Sequence, residues 1–447
     1  MPDDNFVTEM NARHLWQPFG HPGAARADPP PVIDRADGVR ITDAAGHEML
    51  DAVGGLWCAN LGYSCQPIKD AITTQLARLP YYNAFKGATN EPAIRLSAEL
   101  ARLFEPEGMT RSFLTSGGSD SVDTALKLAR QYHRLNGEAG RFKFIALTRA
   151  YHGTHWGGTS VNGTPTYRAP YGPLLPGCFH VPSPYAYRNP YGESDPDRLR
   201  DLCLAAMEHE IAMQGPDTVA AVILEPVQGA GGVIVPPEGF VAGVREICDR
   251  HGVLMICDEV ITGFGRTGAF SGARLWGVRP DMMTLAKAIT SAYFPLGAVM
   301  LNDRMAAAFE ADGPGGMAPT GYTYSGHPVG CAAALACLAE TERLRVWENA
   351  AALGPRLREG LDGLRRHRAV GDVRGVGLMA AVEIVADPET RLPDPDTAGR
   401  IYRAAYERGV MVRWGAANLV VSPPLTITEA DVDEIVGTLD EALATVG

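Results

Sequence analysis

Short runs of apolar residues recur along the middle of the chain and predict the buried strands of a sheet. The clearest of them are Phe142–Leu147, Val219–Leu224, Val253–Cys257, Met282–Ala286 and Pro295–Leu301. Each has the length of a strand and no polar alternation, which is typical of parallel strands covered on both faces. Helical patterns flank them, such as the apolar positions from Val122 to Tyr132. The combination predicts an α/β fold.

Two of these runs end abruptly on charged residues. Asp258 and Glu259 follow Val253–Cys257, and Lys287 follows Met282–Ala286. Ligands of a parallel sheet collect at the carboxyl ends of its strands, so one ligand could contact both an aspartate and a lysine. Pyridoxal phosphate needs that pair: a lysine amine condenses with its aldehyde, and a carboxylate keeps its ring nitrogen protonated. The alternatives are a capping or metal-binding carboxylate and a solvated lysine. The apolar surroundings favour a reactive lysine, because desolvation lowers the pKa of an amine.

A glycine pair marks a predicted strand-to-helix turn. The strand Phe113–Thr115 leads into S-G-G-S-D-S at residues 116–121, and a helical pattern follows. Exposed backbone N–H groups and a helix N-terminus suit an anion such as a phosphate. The alternative is an ordinary helix start with Ser119 as N-cap and Asp120 in the first turn. If a phosphate binds here, the Asp120 carboxylate must point away from it.

The segment D-E-V-I-T-G-F-G-R-T-G at residues 258–268, with Lys287 preceded by leucine and alanine, resembles the class III pyridoxal-phosphate-dependent aminotransferases of fold type I. That family includes the ω-amino acid and amine:pyruvate transaminases, and the resemblance extends across nearly the whole chain. It implies a large domain with a mostly parallel, seven-stranded sheet and a smaller α+β domain. It also implies pyridoxal 5'-phosphate as the cofactor and Lys287 and Asp258 as the catalytic residues.

The resemblance also assigns residues to the cofactor. The implied binding set is Gly118, Ser119, Tyr151, Glu225, Asp258, Val260, Lys287 and Thr323. Within it, Tyr151 and Val260 match the residues on the two faces of the pyridine ring. Thr323 matches a residue that donates its hydroxyl to the phosphate of the neighbouring subunit, which would make the active sites composite and the homodimer obligatory; dimers could also pair into tetramers. The alternative for both Thr323 and Glu225 is a capping role, although the full string G-Y-T-Y-S-G-H-P at residues 321–328 favours the functional interpretation of Thr323.

Five further residues are implied around the substrate: Trp57, Phe85, Ala230, Tyr322 and Arg413. Trp57 and Phe85 would shape the large and small sub-pockets, and Ala230 would leave room in the small one. Arg413 matches an arginine that binds the carboxylate of an amino or keto acid. The aromatic walls suit an ω-amino acid such as β-alanine or a hydrophobic primary amine. Core packing of the aromatic residues and a solvated arginine are the alternatives.

Composition and charge restrict the classes of partner. The 447 residues include 40 Lys and Arg and 52 Asp and Glu, for a formal net charge of −12, which is unfavourable for nucleic-acid binding. The 8 cysteines lack zinc-ligand spacing, so we expect no metal site and reduced thiols. The Met1–Phe6 stretch predicts no signal peptide, and no apolar run is long enough to span a bilayer. We therefore expect a cytoplasmic protein without a membrane partner.

We expect three parts in the chain: an N-terminal segment (1–55) that joins the small domain, a large cofactor-binding domain (56–320) and a C-terminal small domain (321–447). The small domain is predicted to contain strands at Val373–Glu383, Val410–Arg413 and Asn418–Ser422. Residues 160–200 are rich in Pro, Tyr and Gly and predict a long surface excursion without assigned chemistry. The segment His14–Phe19 either folds over the active site, as in the resembled family, or anchors in a groove.

The expected activity is a ping-pong transamination between small molecules. An ω-amino acid or primary amine would donate the amino group, and a keto acid, expected to be pyruvate, would accept it. Lys287 would serve as general base and acid, with Asp258 stabilising charge on the ring. An aminomutase or decarboxylase of the same fold stays open. A nicotinamide-linked dehydrogenase is disfavoured, because no G-x-G-x-x-G opens a βαβ unit with an acidic residue following. A non-catalytic binding module would not need a buried strand-end lysine.

Overall fold

The computed structural model describes residues 4–311 and 314–446. It does not describe residues 1–3, 312, 313 and 447. Half of the Met1–Phe6 stretch and the outer ends of the first and last predicted domains therefore lie outside the described residues. The helices are α1 (Asp4–His14), α2 (Pro22–Ala27), α3 (Gly54–Trp57), α4 (Gln66–Arg78), α5 (Glu91–Leu103), α6 (Gly118–Leu135), α7 (Trp156–Val161), α8 (Pro165–Arg168), α9 (Pro196–Gln214), α10 (Phe240–His251), α11 (Gly272–Leu275), α12 (Asp303–Glu310), α13 (Pro328–Leu344), α14 (Val346–Gly363), α15 (Pro395–Glu407) and α16 (Glu429–Ala444). The strands are β1 (Ile33–Asp37), β2 (Arg40–Asp43), β3 (Glu48–Asp51), β4 (Met109–Thr115), β5 (Lys143–Leu147), β6 (Cys178–Val181), β7 (Val219–Leu224), β8 (Leu254–Asp258), β9 (Met282–Leu285), β10 (Gly297–Asn302), β11 (Val370–Val376), β12 (Met379–Asp387), β13 (Leu392–Pro393), β14 (Val410–Met411), β15 (Arg413–Gly415) and β16 (Asn418–Val421).

The largest sheet has seven strands in the order β4-β10-β9-β8-β7-β5-β6. Strand β10 is antiparallel to both of its neighbours, and the pairs from β9 across to β6 are parallel. Every residue of β7 and β8 is buried, as expected for strands with helices on both faces. The predicted fold class, α/β with a mostly parallel seven-stranded sheet, is confirmed.

The two faces of this sheet explain which way its strand-end residues point. Met255 and Cys257 of β8 pack in one core with α5, α9 and α10, whereas Leu254 and Ile256 pack in the other core with α6. Successive side chains of a strand alternate between faces. Asp258 therefore continues the row that faces α6, the helix whose N-terminus was predicted to bind a phosphate.

Two smaller sheets accompany the large one, and the first of them joins the beginning of the chain to its end. The first has the order β1-β2-β3-β14, in which β14 pairs in parallel with β3. The second has the order β11-β12-β16-β15 and is antiparallel, with β13 alongside β12. The domain boundaries at 55 and 320 stay predictions.

Three local predictions are wrong. The strand expected at Val410–Arg413 is divided between β14 and β15, which belong to different sheets. The single strand expected at Val373–Glu383 is a hairpin of β11 and β12 that turns at Gly377, whose φ of +55° is accessible to glycine at little cost. The excursion expected at residues 160–200 is not all on the surface, because its segment Cys178–Val181 is the edge strand β6 of the large sheet.

Arg266, within the G-F-G-R-T-G motif, is completely buried and ties distant segments together. Its guanidinium donates to the carbonyl oxygens of Leu378 (2.9 Å) and Pro423 and to Oδ1 of Asn60 (2.7 Å). No carboxylate pairs with it among the described residues, and burial lowers its pKa to about 10. Its partners lie before β4 and after β11, so this side chain connects the chain ends to the large sheet.

We expect Arg266→Ala to lower the free energy of unfolding by about 3 kcal/mol or more, because it leaves three buried acceptors without donors. The measurement is the denaturant or thermal unfolding midpoint of the purified variant. Arg343→Ala is the matched control, since Arg343 makes an exposed ion pair with Glu340 one helical turn away and should change the midpoint little. Equal midpoints for the two variants would contradict the bridging role.

Candidate active site

Lys287 lies immediately after the central strand β9. The strand ends at Leu285, and Lys287 adopts a φ of +50° as it opens a short 3₁₀ turn, Lys287–Thr290. A non-glycine residue in this left-handed region is strained, which is frequent at functional sites. The amine is withdrawn from solvent, and this burial lowers its pKa to about 8. The structure therefore holds a lysine with a substantial neutral fraction near physiological pH.

Asp258, at the end of the adjacent strand β8, is buried and fixed by three donors. Its Oδ1 accepts from Thr284 Oγ1 (2.8 Å) and from the Val260 backbone N–H (3.2 Å), and its Oδ2 accepts from His152 Nδ1 (2.8 Å). The neighbouring Glu259 points to the opposite face. Its carboxylate caps the backbone of α11 at Gly272 and Ala273, and burial raises its pKa to about 7. Of the acidic pair, only Asp258 faces the cavity.

The turn before α6 leaves its backbone donors open. The helix begins at Gly118 after Gly117, and no side chain caps it. The alternative with Ser119 as N-cap is wrong, because Ser119 Oγ instead accepts from the Thr154 N–H (3.1 Å). Asp120 turns back to accept from the Ser116 N–H (3.1 Å). An anion at this turn would meet uncapped N–H groups and the favourable end of an 18-residue helix.

Tyr151 and Glu225 form the far wall of the site. The Glu225 carboxylate accepts from the Tyr151 N–H (3.0 Å) and from the Gly229 N–H (2.8 Å), and burial raises its pKa to about 7. The Tyr151 ring makes edge contacts with Phe19 and Tyr167, with centroids 6.4 and 5.4 Å away. Phe19, from the predicted N-terminal cover, thus reaches the rim of the site in the same chain.

These groups enclose one cavity of about 340 Å³ at the carboxyl edge of the sheet. Among the predicted cofactor-binding residues, those that line it are Gly118, Ser119, Tyr151, Glu225, Asp258, Val260 and Lys287. A Cβ added to Gly118 would lie 3.0 Å from Val260 Cγ1, so glycine keeps the space between the helix and Val260 open. The structure brings the two catalytic candidates and the phosphate turn into one chamber.

Three of the predicted substrate residues lie in a second cavity of about 690 Å³. Trp57, Ala230 and Arg413 line it. Trp57 is buried with a φ of +64°, and its chain neighbours Leu56 and Cys58 line the first cavity. Within the described residues the Arg413 guanidinium has no hydrogen bond or ion pair, and burial lowers its pKa.

Phe85, Tyr322 and Thr323 lie away from both cavities. Phe85 is 48% exposed and packs beside Gly321, and Thr323 is exposed and accepts a hydrogen bond from Tyr81 through its carbonyl (2.7 Å). The Tyr322 hydroxyl donates to the Asp120 carbonyl on the outer side of α6 (3.1 Å). The structure therefore gathers these residues on a separate surface of the chain.

Sequence reasoning missed the residues that hold Asp258. His152 is buried, its backbone N–H donates to Asn162 Oδ1 (2.5 Å), and its Nε2 has no hydrogen-bond partner although the residue lines the first cavity. The only signal for His152 was its place in Y-H-G beside Tyr151. Thr284 gave no signal, since a threonine inside an apolar strand is ordinary.

Pyridoxal phosphate fits the first cavity on its donor set. The uncapped turn at Gly117–Ser119 suits the phosphate, Asp258 suits a protonated ring nitrogen, and Lys287 is an amine with a lowered pKa. The orphaned Nε2 of His152 provides a further polar atom at the cavity wall. A lysine together with a carboxylate for the ring nitrogen is the pair that pyridoxal phosphate requires.

Comparison with known proteins agrees with this chemistry. The sequence model of the family "Aminotransferase class-III" matches residues 23–443. The chain belongs to the class III aminotransferases. As a member of that family it is a pyridoxal-phosphate-dependent transaminase of fold type I, and its substrates are small amines and keto acids.

Individual class III aminotransferases resemble it over most of their length. A solved amine transaminase from an uncultivated Pseudomonas species, in its PLP-bound form, is 47% identical with a TM-score of 0.96, over 97% of this chain and 99% of that one. A diaminobutyrate–2-oxoglutarate transaminase of Halomonas elongata is 38% identical over 98% of this chain and 94% of the relative. A putrescine–pyruvate aminotransferase of Pseudomonas aeruginosa is 37% identical over 91% and 88%.

The lowered pKa of Lys287 predicts how the cofactor-free aminotransferase takes up pyridoxal phosphate. Because the neutral amine is the nucleophile, the uptake rate should rise as the pH passes about 8 and then level off. The measurement is the visible absorbance change after mixing over a pH series, with Nα-acetyl-lysine amide as the control for ionisation of the cofactor itself. A rate that still climbs steeply near 10.5, the value of an ordinary lysine, would contradict the buried amine.

Proposed function

We propose that this aminotransferase moves the amino group of an ω-amino acid or hydrophobic primary amine to a keto acid such as pyruvate by a ping-pong mechanism. The observation that carries the proposal is the adjacency of two cavities. The first holds Lys287 and Asp258, and the second has an aromatic wall at Trp57 and an unpaired arginine at Arg413. An apolar amine suits the aromatic wall, and a keto acid suits the arginine.

Bound pyridoxal phosphate would supply an electron sink for the bonds at the substrate's amine carbon. The residues that would hold it are the Gly118–Ser119 turn at the phosphate, Tyr151 and Val260 at the ring faces, and Asp258 at the ring nitrogen. The negative charge of Asp258 would keep a proton at that nitrogen, and Thr284 and His152 orient its two oxygens.

Lys287 moves the proton at the substrate carbon. With a pKa of about 8, its amine can both accept and return a proton near neutral pH. Arg413 binds the carboxylate of the keto acid, since its donors have no other acceptor in the described chain. Lys287 serves both half-reactions in turn, and Arg413 serves the one with the keto acid.

The separate surface that carries Phe85, Tyr322 and Thr323 supports a homodimer with composite sites. This surface also exposes Tyr82 and Tyr324, which makes it an apolar patch of the kind that marks protein interfaces. If a second copy covers it, Phe85 and Thr323 would complete the partner's cavity, with the Thr323 hydroxyl at the phosphate. Pairing of dimers into tetramers stays a prediction.

A cytoplasmic location is part of the proposal. The eight cysteines are all free, which suits a reducing compartment. None of the described helices is long and apolar enough to cross a membrane.

The amino-transfer test follows a ¹⁵N label from β-alanine or a benzylic amine into alanine in the presence of pyruvate. We expect labelled alanine from the wild type and a loss of more than about 1000-fold in Lys287→Ala, since proton transfer and covalent attachment both need the amine. Lys69→Ala, which changes an exposed lysine, should keep full activity. Label that moves only within the donor molecule, or release of carbon dioxide, would replace the proposal with a mutase or a decarboxylase.

The composite site predicts subunit complementation. Co-expression of a Lys287→Ala chain with a Phe85→Ala/Thr323→Ala chain should restore about one quarter of wild-type activity, because about half of the dimers would be mixed and each would contain one intact site. Each chain alone should be nearly inactive. No recovery in purified mixed dimers would show that Phe85 and Thr323 do not act across the interface.

A further inference from the structure

The second cavity contains two positive charges and no negative one. Arg149 and Arg413 line it, and all its other wall residues are uncharged. Both arginines are half-buried. An excess of positive charge in a cavity with restricted access to water attracts anions.

The Arg149 guanidinium forms no ion pair within the described chain, unlike the guanidinium groups of the nearby Arg374 and Arg188. Arg374 forms ion pairs with Asp372 and Glu383, and Arg188 pairs with Glu383. In the described chain the Arg149 guanidinium makes only a face contact with the Tyr185 ring, with its central carbon 5.1 Å from the ring centroid. A cation–π contact leaves the N–H donors of the guanidinium free for a ligand.

The surrounding structure holds Arg149 in place. Its backbone has a φ of +62°, and its N–H donates to the Gly163 carbonyl (3.0 Å). A Cβ at Gly231 would lie 2.4 Å from the Arg149 carbonyl, so the two backbones are in direct contact. Tyr185 is fixed in turn by a hydrogen bond to Glu383 and by Arg374, 4.7 Å above its ring. A side chain oriented in advance loses little entropy when it binds a ligand.

A carboxylate occupies one guanidinium, because the two form a bidentate pair. Pyruvate therefore needs Arg413 and leaves Arg149 without a ligand. A dicarboxylic keto acid such as 2-oxoglutarate, or the corresponding amino acid, carries a second carboxylate at the end of its chain. We propose that Arg149 is an anion subsite that binds this distal carboxylate, so that dicarboxylic compounds are substrates of the enzyme. The inference rests on the proposed function, since it extends the substrates of the same cavity.

A third cavity of about 340 Å³ provides the control. Arg149 lines this cavity too, and Arg188 lines it without lining the substrate cavity. Arg188→Gln therefore removes a nearby positive charge without changing the wall of the substrate cavity.

The kinetic experiment compares kcat/KM for 2-oxoglutarate and for pyruvate with one fixed amino donor. Arg149→Gln should lower the value for 2-oxoglutarate by about 10- to 100-fold, mainly through KM, and change the value for pyruvate by less than about 3-fold, as expected from the loss of a charge-assisted hydrogen bond. Arg149→Lys should restore part of the loss, and Arg188→Gln should change neither value. Equal losses for both keto acids, or the same loss in Arg188→Gln, would overturn the subsite.

A binding experiment separates this inference from the proposed function. Glutarate and butyrate are unreactive and differ by one distal carboxylate, and their affinities for the holoenzyme are measured by calorimetry. The wild type should bind glutarate at least about 10-fold more tightly than butyrate, and Arg149→Gln should abolish the difference. If no keto acid reacts but this preference is seen, the proposed function fails and the subsite stands. If pyruvate reacts but glutarate has no advantage, the subsite fails alone.

Discussion

The site depends on the parallel pairing of β8 with β9. Asp258 is the register partner of Thr284, and Lys287 follows Thr284 by three residues, so both charged groups reach the same edge of the sheet. Burial lowers the pKa of Lys287 to about 8, while the negative charge of Asp258 opposes that effect. The lysine can therefore be both a nucleophile and a proton carrier near neutral pH, without any hydrogen bond to the aspartate.

The central strands could be predicted because each is buried on both faces. The apolar run Val219–Leu224 coincides with β7, and the runs before Asp258 and Lys287 end within one residue of the strands observed. The hairpin of β11 and β12 could not be resolved in the same way. Most residues of Val373–Glu383 are small or apolar on both sides of the turn, so the pattern reads as one strand, and Gly377 alone does not mark a turn.

The residues that line the first cavity could be predicted to lie together because they belong to short motifs at the ends of strands. The residues that depend on contacts between distant segments could not. His152 follows a different strand and orients Asp258. Arg266 lies in the most recognisable motif, yet its role is to pack the ends of the chain against the large sheet. Arg149 could not be distinguished in the sequence from a solvated arginine.

The most direct test of the account is the visible absorption spectrum of the purified holoenzyme during successive additions of an amine and pyruvate. The account predicts that β-alanine or a benzylic amine bleaches the band of the bound cofactor and that pyruvate then restores it, because Lys287 and Asp258 support both half-reactions in one chamber. The Lys287→Ala protein should show neither change on the time scale of the wild type. A wild-type spectrum that no amine alters would contradict the central claim.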